Sequence, residues 1–360
     1  MRGVYGAGVD FESLLSAWDG EHAVVRHDAD SGAWMFVAVH STVLGPAGGG
    51  TRLRVYDSPA EGLADVLRLS AAMTWKMAAA GLPRGGGKAV LAVPELPEGE
   101  ARRRLLLRYG RLVASLGGTY RTAGDMNIKP ADLDVIAETC PWVYGTTRGA
   151  GDSGRGTARG ALHAIRATVE HAFGVPELSG RSVLVQGAGA VGSILARELA
   201  AEGARVTVSD VDEERAAATG CETVAPERAL ESEVDVYSPC AVGGTLSAET
   251  IPRLACRAVA GCANNQLAEP ADAERLDERG ILYAPDYVVN AGGVNQLIGV
   301  EDEGWDEARL EEALAGIGDT LRTLFREADA AAITPAEAAD RLVRRRLAEA
   351  AAPGPTTPPT

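Results

Sequence analysis

The chain has 360 residues, a length that favours two domains over one. Apolar residues make up 46% of it and charged residues 24%, as in a globular protein with a full core. The 50 acidic residues outnumber the 35 basic ones, and the net charge of -15 argues against a nucleic-acid-binding protein.

The first half of the chain predicts a mixed α+β unit. Apolar and polar residues alternate over 22–40 around Asp30-Ser31-Gly32, which predicts a β-hairpin. The run KAVLAVP predicts a short buried strand. Apolar spacing near 3.6 residues, with proline at two of the starts, predicts three helices, over 59–80, 98–116 and 130–139.

From residue 157 onward, helices and strands alternate regularly, which predicts a parallel, doubly wound sheet. The predicted elements are a helix over 157–173, strands at SVLV, RVTVSD, VDVYSPC, AVAGCA and ILYAPDYVV, and two helices over 306–350. The tail 351–360 is rich in proline and threonine and is predicted to be disordered.

A glycine-rich turn between the first two of these strands has the pattern of a dinucleotide fingerprint. The pattern G-x-G-x-x-G follows an apolar strand and opens a helix, and an acidic residue ends the next strand 23 residues after the first glycine. A carboxylate there can bind both ribose hydroxyls and would repel a 2′-phosphate, so NAD is favoured over NADP. The predicted cofactor-binding residues are Gly187, Gly189, Ala190, Val191, Gly192 and Asp210.

Lysine is rare in this chain: the 35 basic residues include only Lys76, Lys88 and Lys129. Arginine carries charge equally well but does not give up its proton, so a retained lysine suggests a role in proton transfer. Lys88 follows three glycines that leave room for a ligand, and two ammonium groups, those of Lys76 and Lys88, would lower each other's pKa in one cleft. One of the two could then act as a general base while the other stays charged and holds a carboxylate. Asp125, in a glycine-flanked loop, could share the proton transfer, whereas Lys129 is predicted to be solvated.

Other site types are not expected. The five cysteines are odd in number and lack a C-x-x-C pair, which predicts neither a disulfide framework nor a metal site and fits a reducing cytoplasm. No signal peptide and no membrane-spanning apolar run are visible, so no membrane partner is expected. The few histidines are predicted to be structural.

Several motifs taken together resemble the Glu/Leu/Phe/Val amino-acid dehydrogenases. They are LGPAGGGTR, AMTWKMAAAGLPRGGGKAVL, TAGD, GAGAVG, SPCAVGG, CANNQL and ILYAPDYVVNAGG, and they cover about residues 20–350. The resemblance implies an α/β protein with an N-terminal α+β substrate domain over 1–148 and a C-terminal NAD-binding Rossmann domain over 149–329. It also implies a cleft between the domains, terminal helices from about 330 to 350 that rejoin the first domain, and a homo-oligomer.

The resemblance further implies a reaction and roles for individual residues. The reaction is reversible NAD-dependent oxidative deamination of an L-amino acid to a 2-oxo acid and ammonia. Lys88 would be the catalytic acid/base and Asp125 would assist proton transfer on the amine. The substrate would be bound by Lys76, Gly49, Gly50, Ala123, Asn265, Asn290 and Val294. The cofactor would also contact Thr157, Cys240, Ala241 and Asn265.

The resemblance leaves the substrate side chain open. Ala123 and Val294 match positions that separate aromatic from aliphatic preference, and a methyl group at 123 favours valine, leucine or isoleucine. The C-terminal part instead looks like phenylalanine dehydrogenases, so phenylalanine or a broad substrate range is the alternative. Three departures from the family pattern, Gly151–Thr157, Met126 and Asn295-Gln296, could shift nicotinamide position or substrate choice. The altered segment 152–156 also motivates a non-enzymatic alternative, an NAD-binding paralogue without turnover.

Overall fold

The structure is a computed structural model that describes residues 11–352. Within that range the chain forms two compact units, one that ends at Asp152 and resumes at Val343, and one over Ser153–Leu342. The sequence places these crossings near 148 and 330, whereas the chain crosses after Asp152 and after Leu342.

The first unit is an α+β unit, as predicted. Its helices are α1 (Phe11–Ser16), α2 (Pro59–Ala80), α3 (Gly99–Ala114) and α4 (Pro130–Ala137), and its strands are β1 (His22–Asp28), β2 (Ala33–Ser41), β3 (Ala47–Val55), β4 (Gly85–Val93) and β5 (Tyr120–Gly124). The strand β3 is absent from the prediction because its glycines have a low strand propensity. The predicted strand KAVLAVP begins three residues earlier than expected, and its three glycines lie within β4.

These five strands form one mixed sheet in the order β1-β2-β4-β3-β5. The predicted hairpin is confirmed by the antiparallel pairing of β1 and β2, and β3 pairs in parallel with both β4 and β5. One apolar cluster packs α3 and α4 against the sheet, and a second packs α2 against the other face. Lys88 lies on the α2 face, in register with Ala38 of β2.

The second unit alternates helices and strands. Its helices are α5 (Gly154–Phe173), α6 (Gly192–Ala201), α7 (Glu213–Ala217), α8 (Pro226–Ala229), α9 (Asp272–Glu278), α10 (Asp286–Val289), α11 (Gly292–Glu301), α12 (Glu307–Ala331) and α13 (Pro335–Ala351). Its strands are β6 (Ser182–Gln186), β7 (Arg205–Ser209), β8 (Glu222–Thr223), β9 (Val234–Pro239), β10 (Cys256–Val259) and β11 (Leu282–Tyr283). The last helix, α13, contains the second crossing between units.

The six strands of this unit are all parallel, in the order β11-β10-β9-β6-β7-β8. This is the doubly wound order of dinucleotide-binding domains, with the strand order reversing at β6. The predicted Rossmann class is therefore confirmed. The predicted strand ILYAPDYVV is only partly correct, because two residues form β11 and the segment from Asp286 turns into α10.

Within residues 11–352, none of the helices combines the length and the apolar character needed to cross a bilayer. The predicted disordered tail, 351–360, lies outside the described residues except for its first two positions, of which Ala351 is the last residue of α13.

Candidate active site

A buried lysine and a carboxylate meet in the first unit. Lys88 is 6% exposed, and its Nζ lies 3.4 Å from Oδ2 of Asp125, which follows β5. The two residues are far apart in sequence but are brought together because β3 separates β4 from β5 in the sheet. The structure thus places the predicted acid/base and its predicted partner side by side.

The surroundings shift the pKa values of both groups. Burial lowers the pKa of the Lys88 amine from its usual range, and the positive charge of Arg52 adds to this, while Asp125 opposes it. Burial opposes ionisation of Asp125, but Lys88 and Arg52 outweigh it and bring the pKa of that carboxyl to about 2. A lysine with a lowered pKa beside a permanent carboxylate releases its proton more readily than an exposed lysine, as a general base must.

Arg52 contacts the predicted acid/base pair, although the sequence reasoning did not single it out. Its Nε donates to Oδ2 of Asp125 at 2.8 Å, and its Nη1 donates to Oδ2 of Asp65 at 2.9 Å. The Tyr56 hydroxyl donates to the same Asp65 oxygen at 2.7 Å. The sequence predicts Lys76 near Lys88, and the structure adds Arg52 as a cation that lowers the pKa of Lys88. A signal was present, since Arg52 closes the GGGTR motif.

Glycines allow these strands to approach each other closely. A Cβ atom at Gly49 would overlap the carbonyl oxygen of Gly87 in β4, and one at Gly50 would lie 3.0 Å from Cβ of Asp125. Gly50 is also in register with Ala123 of β5, which is 5% exposed. The predicted substrate residues Gly49, Gly50 and Ala123 therefore lie together, next to Lys88 and Asp125.

The other two lysines differ in placement. Lys76 is half-buried near the end of α2, two residues after Thr74, whose backbone lies against Gly86 of β4. This close approach of helix and strand depends on glycine at position 86, because a Cβ atom there would overlap Thr74. Lys129 is exposed and caps α4, in agreement with the prediction that it is solvated.

In the second unit, the fingerprint turn has the geometry that a dinucleotide needs. Gly187 has a φ of +103°, a left-handed value that favours glycine, and a Cβ atom at Gly192 would overlap the Gly187 carbonyl. Around Gly189, apart from its chain neighbours, no heavy atom of the described residues would lie within 4 Å of an added Cβ. The turn is thus tight at its ends and open in the middle, where a pyrophosphate would lie at the N-terminus of α6. Ala190 is exposed and Val191 precedes the helix, so both are available to a ligand.

Asp210 is fixed against this turn. Its Oδ2 accepts from the Ala188 backbone N–H at 2.7 Å and its Oδ1 accepts from the Asp212 N–H at 2.9 Å. Although burial opposes ionisation, these N–H groups lower the pKa of the carboxyl. Arg215 pairs with Asp212 at 3.1 Å.

Two further predicted cofactor residues lie against the fingerprint glycines. Cys240 and Ala241 follow β9, and the Cys240 N–H donates to the carbonyl of Gln186 at 2.7 Å. A Cβ atom at Gly187 would lie 2.8 Å from Cβ of Ala241, and one at Gly192 would lie 3.2 Å from Cβ of Cys240. Together these residues form one wall around the turn.

The predicted residues Asn265 and Asn290 come from neighbouring loops of the second unit. Asn290 is 4% exposed and donates through Nδ2 to Oδ1 of Asn264 at 3.0 Å. Asn265 has a φ of +52°, and its N–H donates to the Asp286 carboxylate. Among the described residues, the Asn290 Oδ1 is buried without a hydrogen-bond partner, as expected of a group that a ligand would satisfy.

Thr157 and Val294 lie on two helices that pack on each other. A Cβ atom at Gly293, the residue before Val294, would lie 2.6 Å from Oγ1 of Thr157. Val294 is half-buried at the start of α11. These two residues therefore lie close together within the second unit.

The segment that departs from the family pattern, Gly151–Thr157, is helical from Gly154 onward. Helix α5 begins at Gly154, three residues earlier than predicted, and Gly156 packs against the backbone of Gly292. The Gly156 N–H donates to Oε1 of Gln296 at 2.9 Å, and Arg155 is exposed and pairs with Glu307 at 3.4 Å. Gly156 thus has a packing role.

The other two departures also find places in the structure. Asn295 is buried and donates through Nδ2 to the Ala313 carbonyl of α12 at 3.5 Å. Met126 is 48% exposed. Asn295 is therefore occupied by a contact within the second unit.

A dinucleotide fingerprint in a doubly wound sheet, together with a buried lysine–carboxylate pair, defines a dehydrogenase that uses a nicotinamide dinucleotide, NAD or NADP. Two family models match this chain. The model described as Glu/Leu/Phe/Val dehydrogenase, dimerisation domain, matches residues 23–142, and the model described as Glutamate/Leucine/Phenylalanine/Valine dehydrogenase matches residues 207–351. The chain belongs to the Glu/Leu/Phe/Val dehydrogenase family.

Its relatives include proteins named for several amino acids. A valine dehydrogenase from Streptomyces albus is 45% identical, over 98% of this chain and 100% of that protein. A leucine dehydrogenase from Thermoactinomyces intermedius is 40% identical over 92% of each chain. The crystal structure of an L-tryptophan dehydrogenase from Nostoc punctiforme superposes with a TM-score of 0.78, at 36% identity, and covers 94% of this chain and 99% of that one.

Proposed function

We propose that this chain catalyses the reversible oxidative deamination of a branched-chain aliphatic L-amino acid, valine, leucine or isoleucine, with NAD. The amino acid, water and NAD⁺ give the 2-oxo acid, ammonium, NADH and a proton. The observation that carries the proposal is the buried Lys88–Asp125 pair, 3.4 Å apart, in a chain of this family.

Each residue of the first unit has a distinct part in the proposal. Lys76 holds the substrate carboxylate, and the backbone of Gly49 and Gly50 helps to bind it. Lys88, as the neutral amine, takes the proton from the water that attacks the imine carbon and returns it when ammonia leaves. Asp125 moves the proton on the substrate nitrogen. When bound, NAD supplies the hydride acceptor.

The second unit supplies the cofactor site in this proposal. Gly187, Gly189 and Gly192 make room for the pyrophosphate, and Asp210 receives the ribose hydroxyls. NAD is proposed over NADP because a 2′-phosphate would face the Asp210 carboxylate, and the nearby cation Arg215 is already paired with Asp212. Asn265, Asn290, Thr157, Cys240 and Ala241 are proposed to surround the nicotinamide half.

For the substrate side chain, Ala123 and Val294 support an aliphatic group. The second candidate is an aromatic amino acid, phenylalanine or a broader range, and the likeness to a tryptophan dehydrogenase favours testing it. One methyl group in an apolar pocket discriminates by only about 1–3 kcal/mol, so the preference is a matter of degree.

Two further proposals concern the oligomeric state and the cellular location. We propose a homo-oligomer, supported by the match of residues 23–142 to a model described as a dimerisation domain. We also propose a cytoplasmic location, supported by the five cysteines, all of which lie in the described residues as free thiols.

The test is a panel of the proteinogenic L-amino acids with NAD and NADP side by side, ranked by kcat/KM. We expect the branched-chain amino acids with NAD to rank first, and Lys88→Ala to lower kcat at least about 10³-fold. Lys129→Ala is the matched control, because it removes an exposed lysine of the same unit and should leave kcat unchanged. NAD binding without turnover of any amino acid would favour the non-enzymatic alternative and overturn the proposal.

A further inference from the structure

Arg52 connects the Lys88–Asp125 pair to a second carboxylate on a different element. It lies on β3, its side chain is 13% exposed, and it is bonded to Asp125 on one side and to Asp65 of α2 on the other. Asp65 is equally buried, and it is also bonded by Tyr56 and Arg68. Two fixed partners leave the guanidinium little freedom to turn, so its position relative to Asp125 is set by β3, α2 and the tyrosine.

The charges in this network balance only when Lys88 is neutral. Asp125 and Arg52 then cancel each other, and Asp65 is matched by Arg68. A proton on Lys88 adds one buried positive charge, with its Nζ near the same Oδ2 that already accepts from Arg52. A carboxylate oxygen shared with a guanidinium attracts a neighbouring ammonium less strongly than an unshared one.

We propose that Arg52 is a positioning residue that fixes the Asp125 carboxylate toward Lys88 and keeps Lys88 in its neutral, base-competent form, with Asp65 as the anchor of Arg52. This rests on the proposed function of Lys88 and Asp125 and adds the group that controls their protonation. Neither Arg52 nor Asp65 touches the reacting atoms in this scheme.

The other charged groups around Lys88 do not duplicate this effect. From β2, the ring of His40 is held by Thr74 and by Asp19, at 2.9 and 3.0 Å. From α2, Asp65 favours the Lys88 ammonium and so opposes the effect of Arg52. From the loop after β5, Asp125 alone of these groups pairs with the Lys88 ammonium.

Removal of Arg52 should therefore change the pH at which the enzyme works. In Arg52→Gln, Asp125 has Lys88 as its remaining cation, the protonated amine is stabilised, and the acidic limb of kcat/KM moves to higher pH by about one unit or more. Asp65→Asn removes both the anchor of Arg52 and a negative charge that favours the Lys88 ammonium, two effects of opposite sign, so its limb should move less than that of Arg52→Gln. Arg52→Lys keeps the positive charge but loses the paired hydrogen bonds to Asp125 and Asp65. Its acidic limb should therefore lie between those of the wild type and Arg52→Gln.

The experiment measures kcat and KM for L-valine across the neutral-to-alkaline range for the full-length wild type and these variants. The matched control is Arg108→Gln, since Arg108 is 17% exposed and also pairs with two carboxylates, Asp28 and Asp30, in the same unit. We expect Arg108→Gln to lower the melting temperature without moving the acidic limb. If the acidic limb of kcat/KM lies at the same pH in the wild type, Arg52→Gln and Arg52→Lys, then Arg52 is merely structural and the proposal is overturned.

A direct measurement of Lys88 reactivity tests the role of Arg52 separately from the proposed function. Because the chain has only three lysines, reaction with acetic anhydride at increasing pH can be followed for each by mass spectrometry, with Lys129 as internal reference. Lys88 should react at lower pH in the wild type than in Arg52→Gln. If the wild type deaminates no amino acid but this shift is present, the proposed function fails and the role of Arg52 stands. If Lys88 reacts alike in both proteins, the role of Arg52 fails.

Discussion

Gly189→Ala should separate cofactor binding from folding. At Gly189 the added methyl group would meet no heavy atom of the described residues within 4 Å, apart from its chain neighbours, and the backbone is not left-handed. Replacing glycine where the conformation suits alanine changes stability by only about 0.4–1 kcal/mol, in the stabilising direction. The same methyl group would occupy the open space where the pyrophosphate approaches the backbone. We therefore expect the Kd for NAD to rise at least about tenfold, or ~1.4 kcal/mol, with a melting temperature that changes by about 2 °C or less.

The assay is calorimetric titration with NAD, combined with thermal unfolding in its absence. Gly316→Ala is the matched control, because Gly316 lies within α12 and its added methyl group is equally unobstructed, so NAD affinity should not change. Gly192→Ala is the contrasting variant, since its methyl group would overlap the Gly187 carbonyl and should destabilise the unit itself. An unchanged Kd in Gly189→Ala would refute the assignment of this turn to the pyrophosphate.

Two further predictions concern the first unit. The folded-state pKa of Asp125, about 2, lies below the ordinary 3.8, so its contribution to stability is present above pH 4 and is lost as the pH falls toward 2. Asp125→Asn should therefore cost about 2 kcal/mol at pH 6 and about 1 kcal/mol at pH 2.5, as measured by urea unfolding; an equal cost at both pH values would contradict the stated pairing. Ala123→Gly removes a buried methyl group and should raise kcat/KM for phenylalanine relative to valine by about tenfold, which competition between the two substrates would reveal. A ratio that does not change would place the side-chain pocket elsewhere.

The sequence allowed much of the fold to be predicted, because the relevant signals are local. The hairpin over 22–40 alternates in polarity, and α2 combines a proline start with helical spacing. The fingerprint is likewise a continuous pattern between one strand and the next. In each case the residues that determine the conformation lie close together in sequence, so their spacing is enough to predict the structure.

The errors occurred where distant contacts decide the structure. Glycines 48–50 were not predicted as strand, because a glycine run has low strand propensity; the close approach of β3 to Gly87 is what places them in a sheet. The helix was predicted to begin at 157, yet packing of Gly156 against Gly292 accommodates Gly154–Gly156 in α5. In ILYAPDYVV, a short apolar run did not distinguish strand from helix, and the chain forms two residues of β11 followed by α10.

The role of Arg52 was also missed because it depends on contacts between residues that are distant in sequence. Its contrast with Lys88 also bears on why lysine is rare in this chain. Arg52 is one arginine among many, and its partners Asp65 and Asp125 are 13 and 73 residues away, so spacing gives no sign of the network. The rarity of lysine did single out Lys88, because a residue type that is otherwise replaced by arginine is informative where it persists. The structure shows both cations on one carboxylate oxygen of Asp125. Only the arginine has a planar fork that can bond two carboxylates at once, and only the lysine can lose its proton at working pH. Each position therefore needs the residue it has: a permanent charge at 52 and a removable one at 88.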